Sequence, residues 1–411
     1  MIHVKRLGKT FLAFWASPWM AGLGALVIYI AFAKLGGPVF RDTREGYFNY
    51  LADAFLHGQL HLRLTPESLQ DLVLFNGHIY LYWAPFPAIL LMPLVAIVGV
   101  HISDVLIVLV LAGLTVSMVA LLLSQLSKTG ILVLDTSRRG LLVLFLALGS
   151  VLLPQAPRGG VWSVSQLVGF LCVTLAYLAA ISLRGWRAFL LTGLAISCAA
   201  ATRNQLLFTG IWPAYYLLSS HWKDGRSRLA MYVFWGVLPV LLTVAGLAWY
   251  NWSRFGSPTD VGLKYHDMLP FFRADFSKYG YFNIHYLPIN LYYQYINYPF
   301  PWRADSYMGG SLFLLSPVLF GAFWGIAKGH SRLSVLFLTL SILITSIPIL
   351  LLMGTGWIQV GPRYTLDFHI PLILLTAMGI KRWPIWLIGL LVLISCAHYF
   401  FGTIIWLMAS G

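Results

Sequence analysis

The chain has 411 residues, 59% of them hydrophobic and only 10% charged, where a soluble domain carries about 25% charged residues. Its 27 Lys and Arg outnumber 13 Asp and Glu to give a formal charge of +14, but they are scattered through short segments between apolar runs, which excludes a nucleic-acid surface. The three cysteines, Cys172, Cys198 and Cys396, all sit in apolar runs and exclude a disulfide framework.

Apolar runs of roughly 18 or more residues recur along the chain. They predict an all-α polytopic membrane protein, one domain over residues 1–411 with no separate soluble domain. The first run, 18–35, follows MIHVKRLGKT without a small-residue cleavage site and reads as a retained helix. Further spans are predicted over 104–124, 141–157, 161–183, 187–202, 204–219, 229–251, 309–328, 333–353, 369–380 and 384–407, about 11 transmembrane helices in all. The run YWAPFPAILLMPLVAIVGV, 82–100, carries Pro85, Pro87 and Pro93. Its prolines interrupt regular hydrogen bonding, and it is expected to embed without crossing.

That assignment puts every basic cluster on one side, as the positive-inside rule asks. The N-terminus is then cytoplasmic and the C-terminus outside. Of the 13 acids, all but Asp135 and Asp224 fall on the outer side, which fits a polar site on the outer face. Two long outer loops are expected, at about 36–103 and 252–308; loops of that length are more often functional than connecting.

The first loop gathers Asp42, Glu45 and Asp53 into twelve positions. Tyr47, Tyr50, Leu51, Ala54 and Phe55 form an apolar stripe at helical spacing, and Glu45, Asn49, Asp53 and His57 a polar one. This predicts an amphipathic helix at the outer interface, with Asp42 or Thr43 as its cap. From the residues alone the polar stripe fits either a solvated face or a wet cavity. The second loop is crowded with aromatics, among which His266, Asp267 and Asn290 are polar candidates. His57 and His61 are four apart but have no third ligand in phase, so no metal site is expected. There is no Walker loop, dinucleotide fingerprint or nucleophile elbow, which disfavours a nucleotide-sugar donor.

The order of short motifs resembles the GT-C superfamily of membrane glycosyltransferases. Glu45-Gly46-Tyr47, Ala52 and Leu56-His57-Gly58 match the acid-bearing first loop and the helix after it. YLYWAPFPAILLMP stands where members have a proline-rich segment, and RFGSP (254–258) and GPRYTLDFHIP (361–371) are similar to bacterial members. The topology looks like that of protein O-mannosyltransferases; lipid A aminoarabinose transferases are similar too. Two departures stand out: Arg44-Glu45 replaces an adjacent Asp-Glu pair, and Tyr82 and Trp83 replace a histidine.

The resemblance implies a GT-C-like bundle in the cytoplasmic (inner) membrane. The enzyme would move a sugar from a polyprenyl-phosphate donor to a lipid or glycan acceptor on the outer face. A loop-one carboxylate, Glu45 or Asp42, would be the general base. Arg363 with Tyr364 is the first choice for the phosphate, then Arg158, Arg203 and Lys264, with His266 and Asp53 also assigned to substrate. No cofactor is required on this reading, although Asp42 and Glu45 could hold a divalent ion with further ligands. The competing expectation is a transporter or flippase of lipid-linked glycans, which would carry charges inside its spans near the midplane.

Overall fold

The computed structural model describes residues 2–410 apart from 267, 269 and 330. Six helices are long and apolar enough to cross a membrane: Pro18–Leu35, Asp104–Lys128, Gly160–Ser182, Arg226–Phe255, Arg332–Leu351 and Ile385–Met408. A helix satisfies all its interior backbone groups within itself, which a chain in lipid requires. The protein is a multi-pass α-helical membrane protein.

Polar residues at the ends fix where these helices begin. Ser103 Oγ accepts from Leu106 N at 3.1 Å and caps Asp104–Lys128. Pro18 opens the first span, where its missing N–H costs nothing. Gly160–Ser182 runs through the middle of the bundle, with 83% of its apolar window buried; Arg226–Phe255 lies at the periphery, with 6% buried. That outer helix rests on Gly185–Ala200, where Gly236 O approaches so closely that a Cβ on Gly193 would meet it at 2.0 Å.

The predicted total of eleven spans is not reached on helix length. The segments 141–157, 204–219 and 309–328 are broken, 187–202 gives only the 16-residue helix Gly185–Ala200, and 369–380 forms the expected helix, at 12 residues too short to span by itself. The first becomes Thr136–Leu148 and Leu152–Gln155, interrupted at Gly149, which packs against Ser395 and Cys396 and whose carbonyl accepts from Ser316 Oγ at 3.1 Å. The second opens as the 3₁₀ turn Asn204–Gly210 before Ile211–His221. Pro317 divides the third, and the 3₁₀ turn Arg363–Phe368 precedes His369–Ile380. Helices too short to span, and the irregular turns beside them, must be covered by protein if they lie in lipid, and His369–Ile380 is buried almost throughout. Sequence hydropathy measures the apolar run, not the places where tertiary contacts take over backbone groups.

The proline-rich run forms the 13-residue helix Phe86–Val98, about 20 Å long and therefore short of the ~30 Å hydrocarbon core. It packs on Tyr47–Leu56, the helix of loop one. That helix departs from the expected surface element. Tyr47, Phe48, Asn49, Leu51, Ala52, Asp53 and Ala54 are all buried, so both stripes face protein. Gly46 stands at its N-cap and no side chain caps it. Thr43 is instead tied to Asp104, and Asp42 points away to His101. Past the helix, a short antiparallel hairpin, Val73–Phe75 with His78–Tyr80, turns through Asn76 and Gly77, both at positive φ. An isolated antiparallel bridge joins Val73 to His266 and so links the two long loops.

Candidate functional site

The two long loops, 36–103 and 252–308, the turn before Gly160–Ser182 and the segment 352–364 line a cavity of about 960 Å³. Its construction starts at Asp104. That carboxylate accepts from Thr43 N at 2.9 Å, from Thr43 Oγ1 at 2.5 Å and from Gly160 N at 2.5 Å. Val161 N donates to Glu45 O at 2.9 Å. Loop one is thereby stitched to the turn Arg158-Gly159-Gly160, and Glu45 and Arg158 both reach the cavity. The glycines are required here. A Cβ on Gly159 would meet the Asp104 carboxylate at 2.7 Å, and Gly160 has φ +85°.

Two arginines dominate the wall. The Arg158 guanidinium lies 3.8 Å from the centre of the Trp406 ring. Arg363 is held by its backbone. Its N–H donates to Gln359 Oε1 at 3.1 Å, and its carbonyl accepts from Gln166 Nε2 at 2.9 Å. The residue is 7% exposed; its guanidinium sits over Tyr364 and Trp162 and leaves Nε without a hydrogen-bond partner. Among the described residues neither Arg158 nor Arg363 forms an ion pair. Burial, and then the neighbouring Arg363, push the Arg158 guanidinium below its ordinary range. An arginine does not give up its proton in a protein, and Glu45 is the acid that opposes this shift. Burial pushes the Glu45 carboxyl up, opposed chiefly by Arg158.

Arg203 also lines the cavity, but its charge is spent. It pairs with buried Asp367 through two contacts at 3.1 and 3.0 Å, and Gln205 Nε2 donates to the same oxygen at 2.9 Å. His266 and Tyr364 line the cavity as well. Glu45, Arg158, Arg203, His266, Arg363 and Tyr364, far apart in sequence, are therefore brought together.

Three expected residues are not. Asp42 is exposed and lies 2.8 Å from His101. Asp53 faces Arg63 at 3.0 Å, beside His57. Lys264 is exposed and pairs with Asp260 at 2.7 Å. None of the three lines the cavity. Asn290 is buried as a structural tie, donating to the Leu350 and Leu352 carbonyls at 2.9 and 2.8 Å; Asp267 lies outside the described residues. His61 stacks on His78, 4.1 Å between ring centres, rather than joining His57. Among the described residues no group of three or more His, Cys, Asp or Glu could hold a metal.

Sequence reasoning missed Asp71 and Trp162, which line the cavity together with Tyr82, Trp83 and Tyr281. Asp71 has φ +60°, a conformation aspartate tolerates better than most residues, and its Oδ2 accepts from Trp162 Nε1 at 2.9 Å. Nothing local marks it. It reaches the cavity only because the hairpin folds loop one back onto loop two. No family model, curated protein or solved structure matches this chain.

Proposed function

We propose that the protein is a GT-C-type membrane glycosyltransferase that moves a sugar from a polyprenyl phosphate to a hydroxyl of a lipid or glycan acceptor. The observation that carries this reading is the pair Arg158 and Arg363, two arginines without ion-pair partners on one cavity wall, with the Glu45 carboxylate beside them. Of the other buried arginines, Arg203 is neutralised by Asp367, and Arg254 is satisfied by hydrogen bonds to the Leu81 carbonyl and Asn251. Arg158 and Arg363, without ion pairs and lining a cavity in a chain with apolar helices on every side, suit a phosphate carried on a lipid.

The chemistry follows. The acceptor hydroxyl gives its proton to Glu45 and its oxygen bonds to the anomeric carbon of the sugar. The bond from that carbon to the phosphate oxygen breaks, and the electron pair leaves on the polyprenyl phosphate. Arg158 and Arg363 stabilise the charge that develops there, as fixed donors in a partly water-excluded site. No metal is needed for the charge balance. Asp42, placed on the exposed side with His101, is a weaker candidate base than Glu45.

The finer topology belongs to the same proposal: eleven crossings, with the short buried helices counted as spans, the N-terminus cytoplasmic and the cavity on the outer face of the cytoplasmic membrane. The charge distribution supports it, because the basic clusters then share the inner side. The test is turnover by purified protein given polyprenyl-phosphate sugars and a lipid acceptor. Glu45→Gln is expected to lower transfer by about 10²–10⁴-fold, and Arg363→Ala by about 10²–10³-fold. Transfer that survives both substitutions sinks the proposal, and movement of the lipid across a bilayer without transfer points to a flippase.

A further inference from the structure

Another part of the cavity lining has a different character. Asp71 arrives from the end of loop one, His266 from loop two, and Trp83 from the segment leading into Phe86–Val98; all three line the cavity. The His266 side chain is 6% exposed. Its Nε2 lies 3.2 Å from Asp71 Oδ1, yet neither ring nitrogen is aligned in a hydrogen bond. The Trp83 indole N–H is buried without a partner as well. Native proteins rarely leave buried polar groups unpaired without a reason. Here several unpaired groups surround one space. Asp71 accepts one bond from Trp162 and keeps further lone pairs for others. The rings of Tyr82 and Trp83 stack nearly parallel beside them, 5.5 Å apart at 24°.

We propose that Asp71, His266 and Trp83 form the subsite that reads the sugar ring of the donor, and that this sugar bears neighbouring hydroxyls and no acid group. The inference rests on the donor reading above. The chemistry is complementary. A sugar hydroxyl donates to the Asp71 carboxylate and accepts from the Trp83 N–H. The imidazole of His266 serves either partner, according to its tautomer. The C–H face of the ring lies on the aromatic pair. The Asp71 carboxylate also disfavours a sugar acid. A site built to bond hydroxyls discriminates strongly against a ligand that lacks them.

The experiment compares binding of two kinds of probe to the purified protein in lipid nanodiscs: bare polyprenyl phosphate, and polyprenyl phosphates bearing glucose, mannose or arabinose. The wild type is expected to bind at least one glycosylated probe about tenfold or more tighter than the bare phosphate. Asp71→Asn and His266→Gln are expected to erase that difference while bare phosphate binding stays within about twofold. Trp83→Phe removes only the N–H and its small polar contact, and is expected to reduce the preference severalfold; it keeps the test alive if the other variants fail to fold. Variants that retain the full preference overturn the subsite. So does a folded variant that loses both probes equally, and so does a wild type with no preference for any of the three sugars. A wild type that binds no polyprenyl phosphate at all overturns the donor reading instead.

Discussion

At the scale of single residues, the proposed chemistry rests on Arg158, Arg363 and Glu45, and the charges of Arg158 and Glu45 are coupled. Glu45 acts as a base only when ionised, and burial has raised its pKa. Transfer should therefore fall as pH drops through a value above the ordinary glutamate range, and recover as pH rises past it. Arg158 is the main influence opposing that rise. Arg158→Gln should move the acid limb of the kcat/KM profile to higher pH, besides weakening donor binding. A limb that stays in place means Glu45 is not the titrating base. At this scale much was legible in the sequence. Glu45 and Arg363 stood in recognisable motifs, and Arg158 stood out beside two glycines. Asp71 did not, because its role depends on a fold-back of the chain that leaves no periodic trace. Asp42 and Asp53 looked equivalent to Glu45 in spacing, yet His101 and Arg63 engage them elsewhere.

At the scale of elements, Asp104 is the staple that makes the site. It is 1% exposed and holds loop one and the Arg158 turn together through Thr43 and Gly160. Asp104→Ala leaves those donors unpaired, at about 1–3 kcal/mol each. Thermal stability should drop measurably, and transfer should fall even though Asp104 touches no substrate. Asp104→Asn should recover part of the stability, since its oxygen can still accept one of the bonds. An alanine variant with unchanged melting temperature and activity contradicts this role. The sequence marked Ser103-Asp104 only as the start of a helix. It gave no hint that the same carboxylate reaches back to Thr43, 61 positions earlier. The loop-one helix was legible as a helix, though not as a buried one, because its polar residues are satisfied by partners that sequence spacing cannot identify: Asn49 by the Ile102 carbonyl and Asp53 by Arg63.

At the scale of the whole molecule, Arg226–Phe255 lies at the periphery of the bundle, while the long helix Gly160–Ser182 and the short helix His369–Ile380 lie in its interior. Composition settled the class, because no soluble core could use so many apolar runs. It could not settle the count of crossings, since a run broken at Gly149 or Pro317 has the same hydropathy as an unbroken one. The proposed orientation is checked with single cysteines in a background lacking Cys172, Cys198 and Cys396. A membrane-impermeant thiol reagent added to intact cells should label Lys278→Cys in the second outer loop and spare Lys223→Cys. The reverse pattern overturns the topology.

The most direct test of the central claim is a structure of the protein with a polyprenyl phosphate bound. The phosphate should sit between the guanidinium groups of Arg158 and Arg363, within hydrogen-bond distance of both, with Glu45 facing the anomeric position. A phosphate bound outside this cavity, or held by Lys264 and Arg203 while Arg158 and Arg363 remain without an anion, would contradict it.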